Sequence, residues 1–189
     1  GSDLGNRITD VYENTGEKGF DESRFKLTRV SGGAVKWVDF DRDGRLDLAV
    51  SGLSEEGQVV QLYRNSIGFA RNQVPDVPGS LRAEFDGNNV VLRWGAGSDE
   101  QTAAEALTYN LRVGSNPGGI DVLAPNTTKN GHRTQSTGGN VGHTRRFTLS
   151  GLSDGIYYWS VQAIDDAFGG SQFAPEGSFI VGQSAQEFH

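Results

Sequence analysis

Hydrophobic residues recur at every second position in several short runs of this chain. Leu81, Ala83 and Phe85 share one face, and so do Val90, Leu92 and Trp94. Tyr109, Leu111 and Val113 repeat the pattern, as do Tyr157, Trp159, Val161 and Ala163. Their neighbours Arg82, Arg93, Asn110, Arg112, Ser160 and Gln162 fall on the opposite side. A period of two is that of a half-buried strand. Several such strands over residues 80–182 predict a two-sheet sandwich with Trp94 and Trp159 in one core.

The N-terminal part has shorter runs, at Phe25–Val30, Val35–Phe40, Leu46–Ser51 and Val59–Tyr63, each bounded by Gly, Ser, Asn or Asp. They predict an antiparallel meander. Val11-Tyr12-Glu13-Asn14 followed by Gly19-Phe20 is echoed, about 50 residues on, by Leu62-Tyr63-Arg64-Asn65 and Gly68-Phe69. Four short strands in a repeat of that length match a β-propeller blade, so the chain is expected to open inside a blade. Two prolines and a glycine in Gln73-Val74-Pro75-Asp76-Val77-Pro78-Gly79 predict an extended linker. The expected organisation is a repeat segment at 1–73, a linker at 74–79, the sandwich at 80–182 and a tail at 183–189. The glycine-rich, polar stretch Gly114–Thr144 is too long for a plain connection. It predicts a short strand at Ile120–Leu123 and beyond it a loop, either protruding and open to partners or simply floppy.

Candidate chemistry concentrates in Asp39-Phe40-Asp41-Arg42-Asp43-Gly44-Arg45-Leu46-Asp47. Carboxylates stand at positions 1, 3, 5 and 9 of this loop, with glycine at position 6 to allow a sharp turn. Four converging negative charges repel unless a cation sits among them. A hard ion with six to eight oxygen ligands at flexible geometry fits best, and that ion is Ca²⁺. Asp39, Asp41, Asp43, the main-chain carbonyl of Arg45 and Asp47 are the expected ligands. An EF-hand would need flanking helices and Glu at position 12. Here position 12 is Val50 and the flanks read as strands, so the site is of strand–loop–strand type. The plain alternative is a solvated Asp- and Gly-rich turn.

Composition narrows the setting. The 189 residues carry a formal net charge of −7 with a pI of about 4.9, which disfavours nucleic acid as a partner. Cysteine is absent, which excludes disulfides, thiolate nucleophiles and zinc–thiolate sites. No run of 18 apolar residues is present, so membrane insertion is not expected. The lack of methionine and the opening Gly1-Ser2 predict a piece of a longer chain. A weak calcium site stays filled in a calcium-rich medium, which points outside the cytoplasm, to an extracellular or cell-surface location.

No enzyme is expected. The three histidines, His132, His143 and His189, lie in predicted loops or at the terminus, and no Gly-x-Ser-x-Gly elbow precedes a helix. Asp99, Glu100 and Glu105 read as a solvated loop, and Asp165 with Asp166 as a turn. Trp37, Trp94 and Trp159 are each in phase with core positions, which weighs against a sugar-stacking platform.

Two family resemblances add to this reading. Val35 to Gly52, with Leu62-Tyr63-Arg64-Asn65, resembles an FG-GAP (VCBS-type) repeat over residues 7–73. That resemblance implies a calcium-binding propeller blade with Asp39, Asp41, Asp43, Arg45 and Asp47 as ligands. A closed propeller needs more blades than this chain supplies. Pro75 to Val181 resembles a fibronectin type III domain, through Pro78 with Leu81, Val90 to Trp94, Tyr109 to Val113, and above all Leu152 to Ala163. The last segment implies a tyrosine corner at Tyr157, in phase with Trp159 and Val161. The expected fold is all-β: a partial β-propeller-type meander plus a fibronectin type III-like sandwich. The expected role is a non-catalytic structural, adhesion or protein-interaction module, as in secreted or surface proteins of bacteria. Its partner would be a protein or a surface polysaccharide. The alternative is a carbohydrate-binding accessory to a secreted hydrolase.

Overall fold

A computed structural model describes residues 7–41, 43, 45–66, 71–128, 130–133 and 136–182. Among them the regular elements are eleven strands and one 3-10 turn, so the fold is all-β. The chain divides into two compact units, residues 1–69 and 70–189.

In the second unit β6 (Arg82–Asp86), β7 (Asn89–Arg93) and β9 (Arg146–Leu149) form one antiparallel sheet. The other sheet is β8 (Thr108–Gly114), β10 (Gly155–Ile164) and β11 (Gly177–Val181), in the order β11-β10-β8. Chemistry sets the turns: Gly87, with φ +59°, takes the first corner of the two-residue β6–β7 hairpin, where a side chain would be strained. Most of the alternating residues do what their spacing predicts; the exception is Phe85, in phase with Leu81 and Ala83 but 59% exposed near the β6–β7 turn. Leu92 and Trp94 from one sheet meet Leu111, Val113, Trp159 and Val161 from the other in a single buried cluster. Trp94 lies edge-on to Tyr109 at 5.8 Å and 6.5 Å from Trp159. Each such side chain contributes about 1.5–3 kcal/mol on full burial. The Tyr157 hydroxyl donates to the Ser153 carbonyl at 2.9 Å, the tyrosine corner of a fibronectin type III-like sandwich.

Three expectations change here. The described residues of 114–144 fold back onto the β8–β10 pair, through Asn126, Gly131 and Asn140. They bury Asn110 and Gln162 completely, although these were expected to face water. The two amides bond to each other at 3.1 Å, and Gln162 also donates to the carbonyls of Gly131 and Ser171. The predicted strand at Ile120–Leu123 is reduced to a single bridge between Val113 and Leu123. Residues 71–79 also belong with the sandwich. Asp76 N–H donates to the Ser98 carbonyl, Gly95 N–H to Gly79, and Gln73 N–H to the Gln101 side chain.

In the first unit β3 (Ser31–Val38), β4 (Asp47–Ser54) and β5 (Gly57–Tyr63) form an antiparallel meander in sequence order. β1 (Tyr12–Asn14) and β2 (Phe20–Glu22) pair separately. The run Phe25–Val30 joins no ladder among the described residues. It is held by the Tyr63 hydroxyl, which accepts from Thr28 N–H at 2.7 Å, and by Thr9 Oγ1, which accepts from Val30 N–H. The core is small: Val30, Leu48 and Val50, with Val11, Leu27, Val59 and Tyr63 against them. Trp37, expected inside, is 46% exposed. Three strands supply too little apolar surface to enclose an indole.

Candidate metal centre

The loop between β3 and β4 brings Asp39, Asp41 and Asp43 together. One carboxylate oxygen from each lies within 4.8 Å of the other two. The loop's own amides set this geometry. Asp43 N–H donates to Asp39 Oδ1 at 3.0 Å and to Asp41 Oδ1 at 3.2 Å, and Arg45 N–H donates to Asp43 Oδ1 at 3.0 Å. An aspartate that bonds the backbone two residues ahead makes an Asx-type turn, which is why alternate aspartates fold the chain inward. Gly44 and Arg42 lie outside the described residues.

Asp47 does something different from the trio. It opens β4, is 1% exposed, and stands outside the group within 4.8 Å. Its Oδ2 accepts from Phe40 N–H at 3.1 Å and its Oδ1 from Asn65 N–H at 2.7 Å. Asn65 Nδ2 in turn donates to the Leu46 carbonyl at 3.2 Å. Asp47 therefore braces both ends of the loop and ties it to the segment after β5. Each carboxylate oxygen has two lone pairs, so one amide bond apiece leaves acceptor capacity.

Two guanidiniums sit on the cluster. Arg64 Nε is 2.5 Å from Asp41 Oδ2, and its NH2 is 3.4 Å from Asp43 Oδ2. Arg45 NH1 is 3.2 Å from Asp43 Oδ2. Arg45 was expected to act through its carbonyl; here its side chain and its amide both engage Asp43. Arg64 and Asn65 were not expected at the site, although the echoed Tyr-x-Asn of the repeat carried the signal. A tyrosine and an asparagine kept two apart in both copies point to a shared structural duty.

The donor set fits a hard cation. It is all oxygen, it comes from one turn, and its closest members repel by roughly 1 kcal/mol per pair in water-like surroundings, more where water is excluded. Asp39 and Asp43 are half-buried and Asp41 is exposed, so an ion would reach the trio from solvent. Three carboxylates and a carbonyl leave coordination positions for water, as Ca²⁺ accepts readily.

A second group of carboxylates lies in the sandwich. Asp99, expected in a solvated loop, is half-buried, and Asp165, beside the expected turn, is buried. Asp99 Oδ1 accepts from the amides of Gln101 and Thr102, and Thr102 Oγ1 donates to Asp166 Oδ1 at 2.9 Å. Asp165 is 3% exposed and accepts from Asn72 Nδ2 at 2.8 Å and Gly169 N–H at 2.7 Å. Burial pushes the Asp165 carboxyl above its ordinary range. The charges of Asp99 and Asp166 add to the rise, and the bonds from Asn72 and Gly169 oppose it. Among the described residues, only the β3–β4 trio groups acidic or histidine ligand atoms closely enough for a shared ion.

No family model and no curated protein matches this chain. Among solved structures, the rat CD45 extracellular region, domains d3-d4, is similar at a TM-score of 0.40 and 11% identity, covering 94% of this chain and 100% of that one. That degree of likeness is too low to carry an inference. No helix among the described residues is long and apolar enough to cross a membrane, which leaves β-barrel spans unaddressed.

Proposed function

We propose that the first unit is a segment of calcium-binding repeat of the FG-GAP type, and that the chain is a non-catalytic, extracytoplasmic adhesion or protein-interaction module. The observation that carries the reading is the convergence of Asp39, Asp41 and Asp43 within 4.8 Å on a loop between two strands. A bound Ca²⁺ supplies two positive charges to a turn that otherwise accumulates negative ones. The chain's residues do the rest. Asp39, Asp41 and Asp43 hold the turn, Asp47 fixes its base, and Asn65 transmits its position to the end of β5. A small core of Val30, Leu48 and Val50 leaves this unit dependent on such bracing.

Thermal unfolding tests the proposal. Calcium should raise the melting temperature of the first unit relative to chelator, magnesium should do so less, and Asp43→Ala should lose the response. At a hundredfold excess over Kd the ion adds about 2.7 kcal/mol. An unmoved melting temperature in the intact protein contradicts the reading.

One observation favours a second reading, a carbohydrate-binding accessory module. Phe25 and Trp37, both exposed, line a groove of about 420 Å³ together with Arg64 and Asn65. Aromatic faces beside polar donors suit a sugar ring. Quenching of tryptophan fluorescence by glycans, lost in Trp37→Ala, supports this reading; its absence removes it.

A further inference from the structure

Arg64 occupies the positions on the acidic loop that an incoming cation needs. Asp39, Asp41 and Asp43 each turn Oδ1 toward a loop amide. The Oδ2 atoms of Asp41 and Asp43 instead face the Arg64 guanidinium, at 2.5 Å and 3.4 Å. The placement is built in. Asn65, the next residue, is fixed through its amide to Asp47 and through its side chain to Leu46, which holds the backbone of Arg64 within reach of the loop. The two arginines differ in how easily they leave. The Arg45 side chain is 25% exposed, whereas that of Arg64 is 59% exposed and rotates into water at little desolvation cost.

We propose that Arg64 and a bound calcium ion are alternative counter-cations for Asp41 and Asp43. Arg64 closes the loop when calcium is absent, withdraws when the ion binds, and so sets the affinity of the site. This rests on the calcium reading above. Two cations cannot occupy the same carboxylate oxygens without mutual repulsion, so each weakens the other by the same factor. The pairs are partly exposed, so the effect is modest and salt-sensitive.

The test is calorimetric titration of calcium into the intact protein and its Arg64→Gln variant, at low salt. Arg64→Gln should bind calcium tighter by about two- to fivefold, the range that loss of an exposed ion pair allows. It should melt lower than the wild type in chelator, and the gain should shrink as salt rises. Arg64→Lys, which keeps the charge without the fork, should fall between the two. A measurement on the wild type does not depend on the variants folding: the Arg64 Nε–H resonance should move toward that of a free guanidinium as calcium is added. Calcium binding to the wild type with an unshifted Arg64 signal, or with unchanged or weaker affinity in Arg64→Gln, overturns the exchange and leaves the calcium site standing. Absence of binding to both proteins overturns the calcium reading and the exchange together.

Discussion

The side chain of Asn140 bonds the main chain of Leu111 from both ends of its amide: Leu111 N–H donates to Asn140 Oδ1, and Asn140 Nδ2 donates to the Leu111 carbonyl, each at 2.8 Å. On either side of this contact, backbone performs the same task. Tyr109 pairs with Gly142 and Val141, and Val113 with Leu123. The free edge of β8 is thus covered at alternate residues by two loop segments, with one asparagine bridging the gap between them. An uncovered edge would be a template for pairing with another chain.

Asn140→Ala should therefore destabilise the sandwich by about 2–4 kcal/mol, because it leaves a buried N–H and C=O of Leu111 unpaired. Denaturant unfolding measures this. A loss below about 0.5 kcal/mol would mean that the surface substitution rule applies and the bridge is idle.

Tyr157→Phe should cost about 1 kcal/mol, the net value of its bond to Ser153, with the ring's stack on Phe179 at 5.4 Å retained. Tyr158→Phe should cost close to nothing. Equal losses from the two would remove the corner assignment.

Asp165 gives the second unit a pH dependence of unusual sign. Its folded pKa lies above the unfolded value of 3.8, so the folded state holds more proton between those two values. The group's contribution to stability falls as pH rises through that window, and the penalty is complete above it. Asp165→Asn removes the charge. Its unfolding free energy, relative to wild type, should improve as pH rises from about 4 and level off above the folded pKa, beneath a constant offset for the mismatched donor at Asn72 or Gly169. A difference that stays flat with pH contradicts this.

β5 carries no charged residue, and its Val60 is 80% exposed. β3, by contrast, has Lys36 and a register shift between Ser31 and Ala34 to blunt its edge. Val60→Lys should leave the unfolding free energy within about 0.5 kcal/mol of wild type and raise the concentration at which the protein aggregates, as read by light scattering. A large drop in stability would show that Val60 is buried by something in solution.

The sequence disclosed the parts of this molecule that obey a period. Tyr157, Trp159, Val161 and Ala163 point into the core because apolar side chains at every second position gather on one face of the strand. It did not disclose the cover over Asn110 and Gln162, because residues 114–144 satisfy their partners through side-chain amides and isolated bridges, which have no period. Two amides in phase on neighbouring strands were the available clue. Trp37 was misjudged for a related reason: alternation assigns a residue to a face but says nothing about whether anything packs on that face. In the acidic loop, spacing brought out Asp39, Asp41 and Asp43. The bracing by Asn65 and the contact from Arg64 come from the segment just after β5, and only the echoed Tyr-x-Asn hinted at them.

Calorimetric titration of the intact protein with calcium tests the central proposal most directly, run alongside the Asp41→Ala/Asp43→Ala double variant. The expected result is a saturable heat for a single ion per chain in the wild type and none in the variant. A flat wild-type titration, or a binding heat that survives loss of both aspartates, would contradict the assignment.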